Sequence, residues 1–147
     1  MDPSAQRPLR VGPGAAVGIT EAMIHDLVHA FYAKARLDPE LGPIFNRVIG
    51  DGWDEHLTKL CDFWSSVLLA TGRFKGSPMQ AHVRIPDLDR RHFTRWLTLF
   101  SETAQEVCPA AAADLFTAKA AMIAESLQLG MATSRGELPE LLRTPTS

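Results

Sequence analysis

Five histidines, one tyrosine and three tryptophans carry most of the chemistry open to this chain. A neutral imidazole ligates metals or moves protons, a phenol donates and accepts hydrogen bonds, and an indole N–H only donates. His82 stands in the stretch Ser77-Pro78-Met79-Gln80-Ala81-His82-Val83-Arg84-Ile85-Pro86. Judged on composition, it reads first as a surface histidine on a short connecting helix. His92 competes with it, but follows Arg90 and Arg91 in the first turn of a long helix, where a partly exposed side chain is expected. His56 falls on an apolar stripe, where a core histidine is commoner than a ligand. His25 and His29 are four residues apart on one helix and could grip a metal ion together, yet no third ligand is evident and they flank the buried stripe. Cys61 and Cys108 have no partner at metal-ligand spacing, so they read as reduced packing residues with no disulfide.

The elements that must position these groups are helical throughout. Ile24, Leu27, Val28, Phe31 and Ala35 recur at helical spacing after Thr20, a suitable cap, and proline restricts the backbone before it, predicting an end near Asp38-Pro39. LDPELGPIFNRVIGDG then reads as a tight connector with short helical turns, Phe45 being its most conspicuous apolar residue. Trp53, His56, Leu57, Leu60, Trp64, Val67 and Leu68 form one face of a second long helix. Ser77, Pro78 and Gln80 make a capping box for a short helix presenting Met79, His82 and Val83, which Pro86 must end. Asp87 or Asp89 can cap a further helix with the stripe Phe93, Trp96, Leu97, Phe100, Ala104 and Val107. Pro109 opens the last one, which buries Leu115, Phe116, Met122, Ile123 and Leu127 and stops near Gly130. The very short link between these two implies an antiparallel pair. No strand pattern occurs, so the expected class is all-α.

At 147 residues the chain has room for one hydrophobic core. Residues 1–18 and 132–147, rich in small residues, proline and glycine, are expected to be flexible tails around a domain at 19–131. A hydrophobic share of 46% against 22% charged residues suits a soluble domain, and a net charge of -2 gives no pull toward nucleic acid. No apolar run approaches the roughly 20 residues of a membrane helix, and the first residues lack the apolar centre of a secretory signal, so no membrane partner and a cytoplasmic location are expected. Glycine-rich phosphate loops, zinc-type Cys/His spacing and a nucleophile elbow are all missing.

So small an all-α domain has too few apolar residues to account for aromatics and histidines converging on several stripes unless something large fills its centre. A flat organic cofactor would do so. Haem needs an axial imidazole and apolar, aromatic walls, and His82 with the neighbouring stripes could supply both. The segments FYAKARLDPELGPIF, WDEHLTKLCDFW, MQAHVRIP and HFTRWLTLF, in this order and at compatible spacing, resemble group III truncated haemoglobins over about Ile19 to Met131. The paired-glycine motifs of other truncated haemoglobins are missing, as is usual for this group, and the connector before Trp53 is short compared with some relatives.

The resemblance implies a globin-like fold, truncated to a two-over-two helical sandwich around haem b, iron protoporphyrin IX. It assigns the proximal iron ligand to His82, reversing the first reading of that residue, and the distal ligand-binding positions to Tyr32, His56 and Trp96. Phe45 matches the family's wall phenylalanine. Helical phase and family pattern together add Leu60, Phe63, Trp64, Met79, Ile85 and Phe93 to the haem walls. Arg84 and Arg95 could meet the haem propionates. The implied function is reversible binding of dioxygen and other diatomic gases, as carrier, store or sensor. The alternative is a haem enzyme performing nitric oxide dioxygenation or peroxide chemistry, which would need an external reductase because no flavin or nicotinamide site is visible. A haem-free helical interaction module is the third reading.

Overall fold

A computed structural model describes residues 12–76, 88–134 and 136. Within them lie five α-helices and no strand, in keeping with the all-α expectation: α1 Glu21–Ala35, α2 Gly42–Ile49, α3 Trp53–Leu69, α4 Arg90–Val107 and α5 Ala110–Ser134. No helix among these residues is long and apolar enough to cross a membrane. The capping box at Ser77 and the short helix expected after it lie outside the described residues.

The helix α1 starts where Thr20 accepts a hydrogen bond from the Met23 N–H at 3.2 Å. It buries Ile24, Leu27, Val28, Phe31, Tyr32 and Ala35. Fully burying each large apolar side chain of this face stabilises the fold by about 1.5–3 kcal/mol. This face packs on α4 and α3, while α4 and α5 make the most extensive helix pair. The two residues Cys108 and Pro109 join that pair, folding α5 back along α4. Phe31, Phe100 and Phe116 lie fully buried at the centre. Cys61 and Cys108 are both free thiols.

Three details depart from the sequence expectation. The helix α5 continues past Gly130 to Ser134, because glycine in a helix carries only a modest propensity penalty and Leu127 and Met131 both have buried places to fill. Met122 is 60% exposed, since helical phase gives the inward positions of this alanine-rich helix to Phe116, Ala120, Ala124 and Leu127. Pro13–Val17, expected to belong to a tail, forms a turn of 3-10 helix that packs on α3 and α5.

The connector after α1 is fixed by a buried carboxylate. Asp38 accepts the backbone N–H groups of Glu40 and Leu41, both at 3.0 Å. It also takes Arg95 Nε at 2.8 Å and a second Arg95 nitrogen at 2.7 Å, reaching across from α4. Burial opposes ionisation of Asp38, but the bonds from Arg95, Leu41 and Glu40 outweigh it and hold the carboxyl below its usual range. The chain then turns tightly enough that a Cβ on Gly42 would lie 2.6 Å from the Arg36 carbonyl oxygen, so only glycine lets α2 start there. The eight-residue helix that follows delivers Ile44 and Phe45 to the interior. Asp38→Ala, which removes both backbone caps and the ion pair, should lower stability by about 2 kcal/mol. A group with a depressed folded-state pKa stabilises above its unfolded pKa and loses that contribution as pH falls through the folded value. The gap between wild type and Asp38→Asn in urea unfolding should therefore be widest near neutrality and shrink in acid; a gap that stays constant would contradict this role.

Candidate ligand-binding cavity

All five helices contribute to one interior cavity of about 330 Å³, inside the roughly 300–1,000 Å³ range of sites for small organic ligands. Tyr32 reaches it from α1, Ile44 and Phe45 from α2, and His56, Lys59, Leu60, Phe63 and Trp64 from α3. From α4 come His92, Phe93 and Trp96, and from α5 Ile123, Ala124 and Leu127. Leu41, Phe74 and Leu88 complete the lining from connecting segments.

Tyr32 is buried and makes edge-on ring contacts with Phe31 at 4.7 Å, Phe45 at 5.5 Å and His56 at 5.9 Å. Its phenol oxygen accepts a hydrogen bond from the Trp96 indole. Burial, only partly offset by that bond, pushes the Tyr32 pKa up to about 12. The residue therefore stays a neutral phenol whose O–H remains available to donate, because the indole N–H already serves the oxygen. Trp96 is held for this role by aromatic packing. Its ring stacks on Phe100 at 5.4 Å and 13°, and Phe100 stacks in turn on Trp64 at 5.3 Å and 11°. His56, half-buried, also meets Trp53 edge-on at 5.9 Å, and Arg36 covers the Trp53 ring at 4.5 Å from its centroid.

His92 is buried rather than partly exposed. The reason is its position in the α4 cap: Asp89 accepts the Arg91 N–H at 2.9 Å, and His92 Nδ1 accepts the Asp89 N–H at 3.1 Å. Histidine here fills the place that glutamate or glutamine takes in a capping box. With Nδ1 acting as acceptor, a neutral imidazole carries its proton on Nε2. That nitrogen then has no lone pair for a metal while the cap is intact.

The cavity thus brings together Tyr32, Phe45, His56, Leu60, Phe63, Trp64, Phe93 and Trp96, the candidates that fall within the described residues. Met79, His82, Arg84 and Ile85 lie outside them. Arg95 does not line the cavity; both of its contacts go to Asp38. Sequence reasoning passed over Lys59, three residues after His56 and so on the same helical face, and it expected His92 to be partly exposed although the Asp89-x-x-His92 spacing signals a cap. Leu41, Phe74 and Leu88 sit in connectors, where periodicity gives no guidance.

The lining suits haem. Aromatic and aliphatic walls accommodate a flat ring, and among the described residues the polar groups on the lining are those of Tyr32, His56, Lys59, His92 and the Trp64 and Trp96 indoles. Lys59 is two-thirds exposed and ion-paired to Glu55 at 3.3 Å, a cation beside the cavity that could meet carboxylates at a ring edge.

Over 113 residues the chain is 36% identical to the group 3 truncated hemoglobin ctb of Campylobacter jejuni, spanning 75% of this chain and 89% of that protein. The crystal structure of group III truncated hemoglobin from Campylobacter jejuni superposes with a TM-score of 0.71 at 36% identity, over 75% of this chain and 89% of the other. No family model matches the chain.

Since Tyr32 is the sole tyrosine, phenolate absorbance reports it without interference from another phenol. In the native protein the phenolate should form about two pH units later than in the unfolded chain, whose phenol titrates near about 10. Replacing Trp96 with Phe removes the donor that favours the phenolate and should delay titration further. A raised phenol pKa also means stability falls as pH climbs above the unfolded value. Native titration at the ordinary phenol pKa would refute the buried, hydrogen-bonded position.

Proposed function

The chain belongs to the group III truncated haemoglobins, and from that premise we propose that its cavity binds haem b and that the protein reversibly binds dioxygen and other diatomic gases. The observation that carries this reading is a neutral, buried phenol on the wall of an apolar cavity, its oxygen bonded to a fixed indole. Haem, when bound, supplies an iron with a coordination position open to a diatomic gas.

The protein's own groups divide the remaining work. Tyr32 directs its O–H toward a polar ligand, and Trp96 acts on that ligand through Tyr32. Because the Trp96 N–H bonds to the phenol oxygen, it polarises the phenol and strengthens the donor. The Trp96–Phe100–Trp64 stack keeps the indole from turning away, and the Phe45, Leu60, Phe63 and Phe93 side chains exclude water from the ring. His56 flanks Tyr32 as a second polar group. Lys59, on the cavity lining, is a cation able to meet the carboxylates of the ring.

For the iron ligand, two supports favour His82. The family pattern assigns that role to it, and the alternative, His92, has Nδ1 accepting the Asp89 N–H in the α4 cap. A ligand drawn from His92 would forfeit that bond, while the bond from the Arg91 N–H to Asp89 would remain.

Absorption spectra of the purified protein as isolated, reduced, and reduced with carbon monoxide test the reading. A Soret band that moves on adding carbon monoxide is expected, whereas a protein that stays colourless after adding hemin would sink it. His82→Ala should change the axial-ligand spectrum and His92→Ala should leave it intact. Tyr32→Phe should keep haem and speed dioxygen release about tenfold, the equivalent of one hydrogen bond of roughly 1–1.5 kcal/mol. Trp96→Phe should accelerate release by less than Tyr32→Phe. Stopped-flow mixing of the dioxygen-loaded protein with nitric oxide separates storage from dioxygenation, since rapid nitrate formation sustained by an external reductase marks the enzyme.

A further inference from the structure

Away from the cavity, one face of α1 carries two imidazoles that no other function uses. His25 and His29 are exposed, and their rings stack with centroids 4.0 Å apart and planes 25° from parallel. We propose that His25 and His29 form a surface chelate site for a divalent ion of the nickel, copper and zinc group.

The geometry supports two-point binding. Imidazole nitrogens bind such ions at about 2.0–2.1 Å, so two nitrogens sharing one ion stand roughly 3–4 Å apart. Rings already stacked on successive turns reach that separation by small side-chain rotations, with the helix fixing the i, i+4 relationship. Asp26 Oδ1 lies 3.6 Å from His25 Nδ1. At that distance the carboxylate makes no direct hydrogen bond but sets negative charge beside the ligand pair.

The electrostatics agree. Acidic side chains stand beside the pair, Asp26 at 3.6 Å from His25 and Asp54 close enough to act on His29. Asp54 comes from the first turn of α3, so negative charge faces the pair from two helices and compensates an arriving cation. Among the described residues no third protein ligand completes the set, and the remaining positions fall to water. Two imidazoles with water select the late transition metals over magnesium and calcium, which take oxygen, and copper should bind most tightly. None of these residues lines the cavity, so the site stands whether or not haem binds there.

Calorimetric titration of the full-length purified protein with nickel and with zinc, neither of which exchanges electrons with iron, tests the proposal. One equivalent should bind the wild type, and His25→Ala and His29→Ala should each weaken binding tenfold or more. Asp26→Asn, which keeps both ligands, should weaken it by less than either histidine variant. Both histidines are exposed, so these variants should retain wild-type circular dichroism. Saturating zinc should raise the thermal midpoint of the wild type but not of His25→Ala. Single variants that bind as tightly as the wild type, or a wild type without one-equivalent binding, would overturn it.

Discussion

The polar point of the cavity depends on one buried contact, the Trp96 indole acting as hydrogen-bond donor to the Tyr32 oxygen. A phenol taken out of water loses its solvent partners, and leaving its oxygen bare would cost about 1–3 kcal/mol. The bond meets that demand while joining α1 to α4. It forms because Phe31 packs against both rings, at 4.7 Å from Tyr32 and 6.0 Å from Trp96, and because Phe100 and Trp64 back the indole. The aromatic core and the polar point at its edge are therefore one construction. Loosening the stack would move the donor as well as cost packing energy.

The helices were readable because each buries one continuous stripe, and a 3.6-residue period appears in sequence whatever it packs against. Function was less readable by periodicity. Phe31 and Tyr32 are adjacent and both buried, yet nothing in their spacing distinguishes the filler from the donor. Only the resemblance did so for Tyr32, His56 and Trp96. Cavity residues in connectors, such as Leu41, Phe74 and Leu88, left no periodic trace. The Asp38–Arg95 pair joins residues 57 positions apart, and each taken alone is an ordinary charged residue. His92 is the instructive case. Two preceding arginines suggest a solvated helix start, but a side chain at N3 can bend back to the cap, and doing so carries the imidazole inward.

This last point bears on how one small domain can hold several histidines without confusing their roles. An imidazole has two nitrogens, and the partner of one decides what the other can do. At His92 the Asp89 N–H donates to Nδ1 at 3.1 Å, and the Asp89 carboxylate stands 3.3 Å from the same nitrogen. At His25 the Asp26 carboxylate stands 3.6 Å from Nδ1 on the exposed face of α1. His92 is thus tied to the start of α4, whereas the His25 ring stands open to solvent. The capping bond gives the His92 ring a structural task, and a role as metal ligand through either nitrogen would displace the Asp89 N–H from Nδ1.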